Sequence, residues 1–125
     1  QINKERNSNW NLYYKNLLPL KEKGMISLPF IPKDCKSNAH IFYIKVNNSK
    51  TRSELITFLN DNHISAVFHY IPLHSSIAGK RFSRFNGTDN NSTKESERIL
   101  RLPIYDDIEK DQINYICNQI NQFYN

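Results

Sequence analysis

The middle of the chain constrains the fold most. His40, Phe42, Ile44 and Val46 alternate with Ile41, Tyr43 and Lys45, the period-two pattern of a strand, and apolar residues in both sets predict burial on both faces. Thr51 and Glu54 stand at capping-box spacing, where side chains satisfy the free N–H groups of a first helical turn. Leu55, Ile56 and Leu59 then supply the apolar stripe of a helix of about three turns. Ile64 to Tyr70 returns to strand character, with Ala66, Phe68 and Tyr70 on one face and Val67 and His69 on the other. A strand, a helix and a strand in succession require a small sheet covered by helices, so the expected class is α+β.

The flanks supply the cover. Trp10, Tyr13, Tyr14, Leu17 and Leu18 fall at helical spacing, and Pro19 and Gly24 mark the expected exit of an amphipathic helix. Its abrupt opening at Gln1, without an initiator Met, leads us to expect that it continues something upstream. Met25 to Pro32 reads as an edge strand or extended connection, and Phe85 to Asn91 as a polar, turn-rich and mobile loop. Ser92 and Glu95 form a second capping box, opening a short helix that Pro103 ends. Asp106, Asp107 and Glu109 load the entrance of a final helix, on which Ile113, Ile116, Cys117, Ile120, Phe123 and Tyr124 share a face. No repeat or linker divides residues 1–125, which read as one domain.

A chain of 125 residues can bury one core without disulfide support. The absence of a leader or a membrane-length apolar run makes a reducing cytosol the natural compartment, although sequence alone leaves a Cys35–Cys117 disulfide open. The excess of 17 Lys+Arg over 12 Asp+Glu, a formal charge of +5, would suit nucleic acid, anionic lipid or a phosphorylated small ligand. The basic residues are scattered, without the dense cluster of a nucleic-acid arm.

The octet from His69 to Ser76, His-Tyr-Ile-Pro-Leu-His-Ser-Ser, carries most of the chemistry, because it turns imidazole, phenol and hydroxyl groups into a loop behind an apolar run. His69 and His74 are too few to hold zinc, and neither cysteine has a partner at finger-like spacing. His69, at a strand end, divides evenly between a packed structural role and a ligand role; His74, beyond Pro72, leans toward ligand. No nucleophile elbow surrounds Ser75 or Ser76, Asp106 and Asp107 read as helix caps, and Gly79-Lys80-Arg81 lacks the glycines of a phosphate loop. A stand-alone basic module that binds RNA or another anion without catalysis is the competing reading. Its stacking groups would be Phe42, Tyr43, Phe68 and Tyr70, yet Phe42 and Tyr43 are adjacent and so point to opposite faces. A domain of purely structural or assembly role is a third.

Three segments in order, Ala39 to Lys45, His69 to Ser76 and Thr93 to Pro103, resemble the C-terminal part of the DegT/DnrJ/EryC1/StrS sugar-nucleotide aminotransferases. The resemblance implies the C-terminal small domain of a fold type I pyridoxal-phosphate enzyme, a mainly antiparallel sheet with helices packed against it. Tyr70, Pro72, Leu73 and His74 match that family's Tyr-x-Pro-Leu-His loop near the nucleotide-sugar end of the active site. His40 falls where the family often has a histidine followed two positions later by Tyr; Phe42 here lacks that hydroxyl. His74, Tyr70, His69 and His40 are thus the implied substrate-binding residues. L-Glutamate would donate the amino group and a dTDP-keto-sugar receive it, in a homodimer or larger assembly. The family's cofactor lysine follows a Ser-Phe-x-x-x-Lys pattern in the large domain, and no lysine here has that context. The chain is therefore expected to carry neither catalytic nor cofactor-binding residues and to be inactive alone. It is also expected to self-associate weakly through an aromatic face of Trp10, Tyr13 and Tyr14 left without its cover.

Overall fold

The structure, a computed structural model, describes residues 2–125. It opens on α1 (Ile2–Glu22), which buries Trp10, Tyr13, Leu17 and Leu20. Pro19 does not end this helix. It lies on the exposed side, and its carbonyl still accepts the Lys23 N–H at 3.1 Å. The exit is Gly24, whose φ of 73° is the left-handed value that glycine adopts without a Cβ clash. Residues beyond it form the extended connection, where Ser27 exchanges two backbone hydrogen bonds with Lys45.

The sheet contains β1 (Phe42–Lys45), β2 (Val67–Phe68) and β3 (Ile99–Leu102) in the order β1-β3-β2, with β3 antiparallel to both neighbours. Its central strand lies where the sequence reads as helix. The helix opened by Ser92 is only α4 (Ser92–Ser96), and the chain straightens at Ile99. Leu100 and Leu102 alternate with Ile99 and Arg101, so straightening puts both leucines in the core and leaves Arg101 outside it. β1 is buried on one face rather than two: Phe42 and Ile44 point inward, Tyr43 and Lys45 outward and half-buried. β2 is far shorter than the run from Ile64 to Tyr70, because it has only β3 to pair with and leaves the sheet before Pro72.

Strands β1 and β2 are joined through α2 (Ser49–Asp61). Its cap is Asn48, which accepts the Thr51 N–H at 2.9 Å, so Thr51 lies inside the first turn and the Thr51–Glu54 box does not form. Asn is the stronger cap former of the two, and it stands three residues before Thr51. α5 (Lys110–Tyr124) starts from a capping box made by Glu109 and Gln112. Asp106 does not cap it; it holds Arg6 of α1 at 2.6 Å.

The core lies between the inner face of the sheet and the layer of α1, α5 and α2. Tyr13 stacks on Phe42 at 4.9 Å, Trp10 meets the same ring edge-on at 5.3 Å, and the Tyr13 hydroxyl donates to the Pro103 carbonyl at 2.6 Å. Burial pushes that phenol above its ordinary range, so it stays a neutral donor. Each such side chain contributes about 1.5–3 kcal/mol by leaving water. Trp10 and Tyr13 are thus covered within the chain itself, which removes the aromatic face expected to drive self-association. Both cysteines are free, Cys35 exposed and Cys117 buried, so no disulfide joins them. No described helix is long and apolar enough to cross a membrane.

Candidate functional site

The helices cover one face of the sheet and leave the other half open. On that open face Tyr43, Arg101 and Val67 make one cross-strand row. The next row runs Lys45, Ile99 and then, by continuation of the register past β2, His69. The connection from Pro29 to Asn38 walls this face and forms with it a cleft of about 620 Å³, lined by His40, Tyr43, His69, Lys36 and Trp10 among others. His40 and His69, two of the four residues implied by the resemblance, therefore share one cleft. His40 is exposed at its rim and its Nδ1 lies 2.6 Å from Asn38 Oδ1, while His69 is half-buried.

His69 Nδ1 and Arg101 Nε are both buried without a hydrogen-bond partner. An unpaired buried polar nitrogen is costly, and ligand or water normally satisfies it. Tyr70 ties the two together: its ring is 4.8 Å from the His69 ring and 5.6 Å from the Arg101 guanidinium. Phe68 has a similar neighbour in Arg52, at 6.0 Å. Tyr70, Arg52 and Phe68 line a groove that continues to Thr93.

His74 is placed differently. It sits in the one-turn helix Leu73–Ser75, and its Nε2 is 2.7 Å from the Asp89 carboxylate, each side chain about four-fifths buried (19% and 18% exposed). The Thr93 hydroxyl and backbone N–H also donate to Asp89, and the Phe85 ring covers the imidazole at 4.4 Å. The Thr93 hydroxyl, then His74, hold the Asp89 carboxyl down at about 2, so it is an anion throughout the neutral range. Ser76 caps α3 (Ile77–Phe82). Gly79 fixes how α3 lies on the turn, since a Cβ there would fall 1.6 Å from the Leu73 carbonyl oxygen.

The arrangement thus brings together His40 and His69, connects His69 to Tyr70, and holds His74 apart in a polar cluster with Asp89 and Thr93. Sequence reasoning missed Asp89, Thr93, Phe85 and Arg101. Of these only Asp89 left a signal, the Asp-to-Thr spacing by which a carboxylate reaches an amide at a helix start. These groups can bind and orient an anionic or hydroxyl-rich ligand. They do not fit an aldehyde cofactor: a lysine that carries one needs a desolvated amine, whereas the lysines here are exposed apart from half-buried Lys45, paired with Glu95 at 2.8 Å. Among the described residues no three His, Cys, Asp or Glu side chains converge on a metal position.

Comparison with known proteins gives this geometry a context. Residues 1–121 match the DegT/DnrJ/EryC1/StrS aminotransferase family. A pleiotropic regulatory protein of Geobacillus stearothermophilus is 26% identical over 106 residues, 84% of this chain and 28% of that protein. Among solved structures, DesV of S. venezuelae in complex with a ketimine intermediate superposes with a TM-score of 0.84 at 24% identity, covering 97% of this chain and 31% of that one. NtdA of Bacillus subtilis with bound cofactor PMP superposes with a TM-score of 0.80 at 23% identity, covering 97% and 28%. The chain spans less than a third of the length of each of these relatives.

Proposed function

The chain belongs to the DegT/DnrJ/EryC1/StrS aminotransferase family, and we propose that it is the C-terminal small domain of a pyridoxal-phosphate-dependent sugar-nucleotide aminotransferase. Its part is to bind and orient the sugar nucleotide. The large domain supplies the cofactor, whose chemistry is to act as electron sink while the amino group moves. The amino group comes from L-glutamate and goes to C4 of dTDP-4-dehydro-6-deoxy-D-glucose. The activity proposed is that of a dTDP-4-amino-4,6-dideoxygalactose transaminase, which serves enterobacterial common antigen and lipopolysaccharide sugars. The complete enzyme works in the cytoplasm as a homodimer or larger assembly.

The observation that carries this reading is the open sheet face, where His69 Nδ1 and Arg101 Nε lie buried and unpaired beside the exposed Tyr70 ring. Imidazole, phenol and guanidinium groups hydrogen-bond sugar hydroxyls and face phosphate or carboxylate oxygens. His40 at the cleft rim and His74 on the Tyr70–His74 loop complete the substrate set. The alternative of an RNA-binding sheet loses one of its stacking rings, since Phe42 is fully buried against Trp10 and Tyr13.

In the complete enzyme, His74→Ala lowers kcat/KM for the sugar nucleotide by roughly ten- to a hundredfold, the scale of one hydrogen bond to a charged group, and spares the glutamate half-reaction. His69→Ala behaves alike. Equal losses in both half-reactions, or none, would reject the substrate role. The isolated chain mixed with pyridoxal phosphate gives no stoichiometric, borohydride-fixable lysine adduct; a single-site adduct would overturn the division of labour between domains.

A further inference from the structure

We infer that Asp89 is a positioning residue for His74: by accepting the Nε2 proton it fixes the tautomer and the ring plane, so that Nδ1 is the nitrogen offered to a ligand. An ionised carboxylate only accepts hydrogen bonds, so at 2.7 Å from Nε2 it requires the ring proton to be there. Nδ1 makes no hydrogen bond within the fold among the described residues. A neutral ring then presents Nδ1 as an acceptor for a sugar hydroxyl, and a protonated ring presents it as a donor to an oxyanion.

Asp89 is itself held in place. Its two oxygens take the Thr93 backbone N–H at 3.3 and 3.2 Å, and one of them also takes the Thr93 hydroxyl. Thr93 stands on the first turn of α4, and β3 begins three residues after that helix ends. The loop imidazole is thereby referred to the central strand of the sheet through the chain Asp89, Thr93, α4. Phe85 packs on the ring at 4.4 Å, which limits its tilt. An exposed histidine on a surface loop would sample several rotamers and both tautomers. Here three side chains from residues 85–93 select one arrangement.

The inference deepens the proposed substrate role of His74 and rests on it only for its kinetic consequence. The direct test uses the chain labelled with ¹⁵N-histidine, its His74 signals assigned by their absence in His74→Gln. We expect a ring proton on Nε2 protected from exchange with water and a long-range correlation pattern of the Nε2–H tautomer. In Asp89→Asn, whose amide can donate to Nε2, the protected proton disappears and the pattern moves toward Nδ1–H. Asp89→Glu restores an acceptor and recovers Nε2–H. An unchanged tautomer and unchanged exchange in Asp89→Asn, whether or not the melting curve moves, would overturn the inference, because a merely structural Asp89 moves the melting curve and not the tautomer.

The kinetic arm separates the two readings. In the complete enzyme Asp89→Asn lowers kcat/KM for the sugar nucleotide by roughly ten- to a hundredfold, and the Asp89→Asn/His74→Gln double variant is no worse than His74→Gln alone. A tautomer that moves while both sugar kinetics and His74 variants stay at parental values would leave Asp89 as the positioner of the ring and reject the substrate role of His74. Additive losses in the double variant would overturn the inference, because Asp89 would then act independently of His74.

Discussion

The core layer and the segment from Val67 to Phe85 are about equally rich in large apolar residues, yet they use them in opposite ways. In the core Tyr13, Leu17, Leu100, Ile113 and Ile120 are fully buried. In the segment Tyr70, Leu73, Ile77 and Phe82 are 71%, 73%, 90% and 77% exposed. What shapes the segment is a set of polar ties: Ser75 and Ser76 to backbone carbonyls of Pro72 and Leu73, Ser83 to Gly79, and His74 to Asp89. The lesson is that burial holds the core together, whereas hydrogen bonds hold the segment in a shape that leaves its apolar groups available. Such a division suits a domain whose core folds by itself and whose loop completes a site.

The largest expected effect breaks the two regions apart by truncation. Ile113→Ala or Leu100→Ala costs about 2–5 kcal/mol, the sum of lost transfer free energy and a cavity. Ile77→Ser stays within about 0.5 kcal/mol, as an exposed position should. Urea unfolding of the chain measures both. Equal costs would mean that the segment is packed as the core is.

A smaller effect isolates the segment. Gly79→Ala forces a Cβ against the Leu73 carbonyl, so α3 or the Leu73–Ser75 turn must shift, at a cost of about 1–3 kcal/mol typical of overpacking. Chemical shifts should change at His74 and Ser75 and hold at Ile113 and Leu100. Shifts that spread through α5 would couple the two regions.

Buried titratable groups of α5 make the core sensitive to alkaline pH. Burial raises the Cys117 thiol from 9.0 to about 12 and the Tyr124 phenol from 10.0 to about 12. The folded chain therefore keeps protons that the unfolded chain releases, and stability falls as pH rises from about 9 toward 12. Alkaline titration of the melting temperature checks this, and a flat profile over that window would contradict it. At neutral pH a thiol reagent should label exposed Cys35 and spare Cys117.

The same division explains what could be read from sequence. α5 was legible because Ile113, Ile116, Cys117 and Ile120 repeat at helical spacing over a long segment; β1 was legible as a strand from its β-branched and aromatic run, but apolar residues in both of its sets hid that only one face is buried. β3 was not, because four residues, Ile-Leu-Arg-Leu, directly follow a helix-start signal and fit either period; only pairing with β1 and β2 decides for the strand. Pro19 and Thr51 misled for a local reason: each is a true terminus signal set a turn away from the real end. Of the site, the loop residues were visible as chemistry. Their partners were not, since Asp89 meets His74 across fifteen residues and Arg101 meets Tyr70 only because β3 is a strand.

Hydrogen exchange resolved along the chain reports the free energy of opening segment by segment, and so separates the buried core from the loop region held by hydrogen bonds. Amides of α1, β1, β3 and α5 should exchange only through global unfolding. Those from His69 to Asn91 should exchange far faster, through local opening that Asp89→Asn accelerates around His74. Uniform protection across the chain, or a Val67–Phe85 segment as protected as α5, would contradict the division between a self-sufficient core and a loop region held by hydrogen bonds.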